Sequence, residues 1–172
     1  MKLTLLFIFL NFGISSFAQN TVAELGKTIY LSFKSGDLER IYEHILSTEQ
    51  SIQLAEKWDV EMSEEDMIKF KNVYPERVKK YKEFCVQLLL NDSTMGFRWV
   101  ETEYKNSEVS QKKLKISEDE TKNKIDVTNL IVHFMYKNKE FKLFINSVIE
   151  LDEKWYLGGS NMVIHEVEVD NK

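Results

Sequence analysis

Between residues 22 and 90 the apolar residues recur every three or four positions, which is the spacing of one face of an α-helix. The first stripe predicts a helix that Asn20 or Thr21 caps. It ends at Gly36, because glycine is free to take the left-handed conformation that follows a helix. Asp37 is expected to cap a second short helix, and one or two further helical turns are expected after Ser47. The apolar residues of the first stripe are Val22, Leu25, Ile29 and Phe33.

The longest apolar stripe begins after Ser63 and continues to Asn91. Acidic residues fill its first turn, where the helix dipole favours negative charge. The periodicity passes through Pro75, which removes a backbone hydrogen bond from a helix interior. The sequence therefore predicts either a kinked helix or two helices that share one face.

From residue 97 onward, apolar and polar residues alternate, which indicates β-strands. Two polar strands are expected over residues 97–105 and 109–116, with a link at Asn106 and Ser107. A long strand is expected over residues 125–136, and a change of phase near Thr128 and Asn129 indicates a bulge or a bend. Short polar turns at 137–139 and 152–154 lead into strands over 141–149 and 155–157, which must then pair antiparallel.

The C-terminal residues 162–170 predict an extra strand, because valines alternate there with acidic residues. The simpler interpretation is a sheet edge that its charges protect from uncontrolled pairing. The alternative is a docking strand for a basic partner or for a second copy of the chain, which would make the protein a homodimer.

Helices followed by an antiparallel meander predict an α+β fold, in which N-terminal helices pack on a curved antiparallel sheet to give a cone-shaped α+β roll. The chain shows no repeat and no linker that would divide it. We expect a single domain over residues 19–172.

Residues 1–18 have the order of a secretory signal peptide: the charge of Lys2, an apolar run, and small residues at Ser16 and Ala18. The run is shorter than the roughly 20 residues of a membrane span. No cysteine near the cut offers a lipid attachment point. We expect cleavage between Ala18 and Gln19, export to the periplasm or secretion, and no membrane span in the remaining chain.

The charge and the cysteine content exclude further classes. The chain of 172 residues has a formal net charge of −5 and no basic stripe, which argues against nucleic-acid binding. Cys85 is the only cysteine, so an internal disulfide cannot form. Its position in the helical stripe favours a buried apolar role. The alternative is a reactive thiol or an intermolecular bridge.

Common catalytic and metal-binding patterns are missing from the sequence. The three histidines, His44, His133 and His165, lie far apart and form no ligand motif, so we expect no metal. The Gly158-Gly159-Ser160 segment lacks the second flanking glycine of a nucleophile elbow. No glycine-rich phosphate loop is present. We therefore assign no catalytic residue and no cofactor.

The remaining candidate for a site is a set of aromatic and polar residues that could line a pocket. His133 is the one member whose side chain ordinarily titrates near neutral pH. The alternative is that the aromatic residues form ordinary core. The candidates are Tyr30, Trp58, Tyr81, Trp99, His133 and Trp155.

Two segments carry a resemblance to a known superfamily. IYLSFKSGDL at residues 29–38 resembles the first-helix signature of the nuclear transport factor two and ketosteroid isomerase superfamily. FINSVIELDEKWYL at residues 144–157 is similar to its last hairpin. The resemblance implies a cone-shaped domain with a pocket between the helices and the sheet. That superfamily includes isomerases, dehydratases, cyclases and non-catalytic binding modules, so the fold alone does not decide the function.

Isomerase chemistry of that kind needs a carboxylate base, a tyrosine and a protonated acid. Tyr30 is a candidate for the tyrosine, but no carboxylate of the sheet matches the other two roles. We therefore favour a non-catalytic exported domain that binds a small apolar ligand or a protein partner. The alternatives are an isomerase- or dehydratase-like enzyme with a pocket acid or His133 as base, and an immunity or inhibitor protein that uses its acidic surface.

Overall fold

The structure is a computed structural model that describes residues 21–58, 60, 62–115, 124–158 and 161–167. The expected signal peptide, the end of the strand expected over residues 109–116 and the last part of the expected C-terminal strand lie outside these residues.

Four α-helices make up the first half of the described chain. Thr21 caps the first of them, because its side chain accepts the backbone N–H of Glu24 while the Glu24 carboxylate accepts the N–H of Thr21. Ser47 and Gln50 form the same reciprocal cap on the third helix. The helices are α1 (Val22–Ser35), α2 (Glu39–Tyr42), α3 (Thr48–Lys57) and α4 (Glu64–Leu90), followed by short 3-10 turns at Ser93–Met95 and Trp99–Glu101.

The second half forms a curved antiparallel sheet that does not close into a barrel. Strand β2 pairs with β1 on one side and with β3 on the other. The opposite edge of β3 pairs with both β4 and β5, which lie end to end along it. The strands are β1 (Glu103–Lys115), β2 (Lys124–Tyr136), β3 (Lys139–Leu151), β4 (Lys154–Leu157) and β5 (Met162–Glu166). The predicted α+β class, with helices on a curved antiparallel sheet, is confirmed.

The bulge predicted near Thr128 is present, since the register of β2 and β3 shifts between Thr128 and Leu130. The link predicted at residues 106–107 is wrong. Strand β1 continues through these residues and absorbs a register shift between Tyr104 and Asn106. A bulge keeps a strand continuous while it bends, so polar residues there need not end it.

Two other local expectations differ from the structure, and a third is narrowed to one of its alternatives. Residues 97–102 are not strand, because the Asp92 carboxylate accepts the Trp99 backbone N–H at 2.9 Å and holds this segment in a turn. Asp37 does not cap α2; its carboxylate accepts instead from the Arg40 guanidinium at 3.1 Å. Of the two alternatives at Pro75, a single helix is present, because α4 is continuous through that residue.

Aromatic side chains fill the space between α1 and the sheet. Trp99 stacks on Phe33 with ring centres 4.8 Å apart, and Phe97 meets Trp99 edge-on at 5.0 Å. Phe134 and Phe141 of the sheet stack at 5.6 Å beneath them. Such offset and edge contacts add to the stabilisation from apolar burial. The centre of the fold is therefore a packed core.

A smaller apolar cluster joins α3 to the far end of the sheet. It contains Leu46 and Leu54 from the helical side and Ile149, Leu151 and Tyr156 from β3 and β4. Among the described residues, no helix has the length and the apolar character that a bilayer crossing requires.

Candidate functional site

Tyr30 and Trp99, two of the predicted pocket residues, lie in the packed core. Each is 1% exposed. The Tyr30 hydroxyl is 3.0 Å from the hydroxyl of Thr102, and the Trp99 indole N–H donates to the Leu88 carbonyl at 3.1 Å. Their hydrogen bonds thus join α1 and α4 to the segment at residues 97–102. Neither residue lines the α4 cleft described below.

His133 lies on the opposite face of the sheet from α1. Its neighbours in β2, Val132 and Phe134, are buried in the core, and successive strand side chains point to opposite faces. The imidazole lies between two carboxylates: its Nε2 is 2.5 Å from Glu108 Oε1, and its Nδ1 is 2.7 Å from Glu140 Oε1.

The Glu108–His133–Glu140 row joins three neighbouring strands, β1, β2 and β3. An imidazole that carries both protons donates to both carboxylates, which satisfies all three groups. The two carboxylates lie on opposite sides of the ring and do not converge on one point. Consistently, no group of three metal-binding side chains suited to an ion occurs among the described residues.

Trp58 and Trp155 are half-buried and pack on different apolar clusters. Trp58 packs on the smaller apolar cluster, at the end of α3, whereas Trp155 packs on the main core. The backbone carbonyl of Trp155 lies 3.0 Å from Nδ1 of His44. These five of the six predicted pocket residues are therefore spread over the main core, the outer face of the sheet and the smaller apolar cluster.

A cleft of about 410 Å³ lies beside α4. One wall is α4, and the other is the end of β4 together with Ile45, which forms an isolated bridge with Leu157. We call it the α4 cleft. Its lining residues are Ile45, Tyr74, Arg77, Val78, Lys80, Tyr81, Phe84, Leu157, Gly158 and Asn161.

Tyr81 is the one predicted pocket residue that lines the α4 cleft. It is 5% exposed, and its hydroxyl has no hydrogen-bond partner among the described residues. A buried hydroxyl without a partner costs stability, so its persistence calls for an explanation. Burial also raises the pKa of Tyr81. The phenol is therefore a neutral donor at physiological pH.

Cys85 follows Tyr81 by one helical turn and is fully buried. Burial raises the pKa of its thiol to about 12. A thiol that remains protonated is a poor nucleophile. Cys85 thus has the buried apolar role that its helical spacing predicts.

The rest of the α4 cleft combines apolar walls with a basic rim. Val78 and Phe84 supply apolar surface, and Tyr74 is fixed by donating its hydroxyl to the Leu46 carbonyl at 3.0 Å. Arg77 and Lys80 are exposed, and no ion pair joins either of them to another described residue. The arrangement can hold an apolar body and attract negative charge.

The sequence contains one feature that could have indicated this cleft, namely basic residues four positions before aromatic ones on α4. Tyr81 follows Arg77 by four residues, and Phe84 follows Lys80 by four. The members of each pair therefore share one face of α4. Two cations on a helix face next to an apolar stripe are also typical of a solvated boundary. The cleft exists because Leu157 pairs with Ile45, and these two residues form the wall opposite α4.

A scan against protein-family models, a search of curated proteins and a search of solved structures gave no significant match to this chain.

Proposed function

We propose that this protein is a non-catalytic binding module that takes a small, largely apolar molecule into the α4 cleft. The observation that carries the proposal is the lining of the α4 cleft, which is largely apolar and includes a few polar side chains. Binding sites of this size are commonly apolar with a few placed polar groups.

The chemistry of the cleft supports binding rather than proton transfer. Its described lining contains tyrosines, cations and apolar side chains, but no carboxylate and no imidazole. His133, the base of the enzyme alternative, lies on the outer face of the sheet between two glutamates. Tyr81 is a poor base precursor because burial favours its neutral form.

Export is part of the same proposal. Helix α1 begins at Val22, three residues after the expected new N-terminus at Gln19. Removal of residues 1–18 would therefore leave the Thr21 cap intact. Intact-mass measurement of the protein from the periplasm or medium of an expressing bacterium should give a chain that starts at Gln19. Retention of Met1 in a protein that stays in the cytoplasm would contradict export.

The binding proposal is tested with 1-N-phenylnaphthylamine, a neutral probe whose fluorescence rises in apolar surroundings. We expect saturable binding of one probe per chain. Val78→Trp places a large side chain in the cleft and should weaken probe binding by about tenfold or more, which corresponds to at least about 1.4 kcal/mol. Val73→Trp is the matched control, because Val73 is an exposed residue of the same helix.

Circular dichroism and thermal unfolding should show that both tryptophan variants are folded. If Val78→Trp does not fold, Val78→Gln with Val73→Gln as its control makes the same comparison by making the wall polar. Absence of saturable binding, or equal binding to the Val78 and Val73 variants, would overturn the proposal that the α4 cleft is the site.

A further inference from the structure

We infer that the ligand of the α4 cleft is a single-chain amphiphilic carboxylate, held with its apolar chain inside the cleft and its anionic head between Arg77 and Lys80. This inference rests on the proposed function and adds the chemical class of the ligand.

The first argument is charge. The chain has a formal net charge of −5, so an unpaired pair of cations at one opening is a local departure from an acidic surface. Some basic side chains of the described helices have carboxylate partners, as Lys69 does with Glu65 at 2.7 Å and Arg40 with Asp37 at 3.1 Å, whereas others do not. Arg77 and Lys80 have none within the described ranges, and both are therefore free to pair with an anion.

The second argument is the direction of the side chains along α4. Arg77 and Tyr81 are four residues apart, as are Lys80 and Phe84, so each cation lies one turn from an aromatic ring of the cleft lining on the same helix face. Long basic side chains extend along apolar surface and hold their charged ends in water. The head of a bound molecule would meet the cations at the rim, while its chain would lie against Tyr81 and Phe84.

The third argument is the composition of the inner walls. Ile45, Val78 and Leu157 present only hydrocarbon, so a chain of methylene groups suits them better than a sugar or a nucleotide. The cleft volume of about 410 Å³ is near the lower end of small-molecule sites. It suits one aliphatic chain rather than a lipid with two.

The test compares decanoate with 1-decanol, two molecules with the same chain length that differ in head charge at pH 7.4. Each is titrated below its aggregation limit by calorimetry, and each is also used to displace 1-N-phenylnaphthylamine. We expect decanoate to bind more tightly than decanol to the unaltered protein. Because exposed charge pairs are screened by salt, its advantage should shrink when NaCl is raised from about 0.05 M to about 0.5 M.

Variants that remove one charge each then test whether the carboxylate of the ligand lies between Arg77 and Lys80. Arg77→Gln and Lys80→Gln should each weaken decanoate binding by roughly two- to fivefold, the range expected for exposed ion pairs, and should leave decanol unchanged. Lys79→Gln is the matched control, since it makes the same change of net charge on the same helix outside the cleft lining.

The outcomes separate this inference from the proposed function. Suppose that the neutral probe binds and Val78→Trp blocks it, while decanoate binds no better than decanol or not at all. In that case the cleft is a binding site, but the inference that its ligand has an anionic head group is wrong. Equal effects of Lys79→Gln and Lys80→Gln would also overturn the assignment of the head. If the neutral probe and decanoate both fail to bind, the proposed function itself fails.

Discussion

Nδ1 of His133 lies 2.7 Å from Oε1 of Glu140, across the β2–β3 pair. With Glu108 on its other nitrogen, the imidazole joins three strands on the outer face of the sheet. His133→Ala leaves two carboxylates facing an empty position. We expect a loss of about 1 kcal/mol in the free energy of unfolding, because both glutamates are partly solvated. Urea titration measures it, with exposed His165→Ala as the control. Equal losses in the two variants would contradict a structural role for the row.

Two tyrosine variants should change stability in opposite directions. Tyr81→Phe removes a buried hydroxyl that lacks a partner, so we expect the ligand-free protein to gain about 1 kcal/mol or more. Tyr30→Phe removes a hydroxyl paired with Thr102 at 3.0 Å and should cost about 1 kcal/mol. Thermal unfolding of both variants provides the test. A lower melting temperature for Tyr81→Phe would mean that its hydroxyl already has a partner.

Cys85 should resist thiol reagents in the folded protein. Its pKa of about 12 keeps the thiol protonated at pH 8, whereas the unfolded thiol has its ordinary pKa of about 8.5. Above that pH the unfolded chain releases a proton that the folded chain keeps, so Cys85 makes the protein less stable as pH rises. The unfolding free energy should therefore fall more steeply between pH 8 and pH 10 than in Cys85→Ala. Rapid labelling without denaturant, or identical slopes, would contradict this burial.

Gly26 is required by the close contact of α1 with β1. A Cβ at this position would clash with the Ser107 Oγ and would lie 3.1 Å from Leu130 Cδ1. We expect Gly26→Ala to cost about 1–3 kcal/mol, as overpacking does. Ser107→Gly in the same chain removes the nearest atom and should recover part of the loss. A Gly26→Ala protein as stable as the original, measured by chemical denaturation, would show that α1 can move away from the sheet.

Pro75 leaves the carbonyl of Lys71 without its helical donor. Pro75→Ala restores that hydrogen bond at an exposed position of α4. Proline is about 3 kcal/mol worse than alanine in a helix interior, and part of this is offset because proline also restricts the unfolded chain. We expect a net gain of about 1–2 kcal/mol and higher helical content by circular dichroism. Val73→Ala, on the same helix, should change stability little, and a destabilised Pro75→Ala protein would contradict the prediction.

The order of elements could be predicted because local chemistry decides it. The Thr21 cap, the end of α1 at Gly36, and the turn at Asp152 and Glu153, both with positive φ, depend on residues close in sequence. The start of β1 could not be predicted in this way. Residues 97–102 read as strand, but the Asp92 carboxylate and the Leu88 carbonyl hold Trp99 in a turn against α4.

The site was less predictable than the fold. Aromatic side chains are compatible with a core and with a pocket, and only packing against Phe33 assigns Trp99 to the core. The carboxylates that flank His133 come from Glu108, 25 residues earlier, and from the next strand. The α4 cleft depends on the meeting of Ile45 with Leu157, which are 112 residues apart in the chain and carry no shared motif.

Strands β4 and β5 pair with the same edge of β3, and this has a consequence for how the shape of the α4 cleft can vary between related chains. The Ser147 carbonyl accepts from the Gly158 N–H at 2.8 Å, and the Asn146 N–H donates to the Asn161 carbonyl at 3.1 Å. Strand β3 is thus hydrogen-bonded at the end of β4 and again at the start of β5. Insertions or deletions between Gly158 and Asn161 would leave that bonding in place while they reshape one wall of the α4 cleft. We expect homologues to vary in length at this point, so that the shape of the α4 cleft can change without a new sheet.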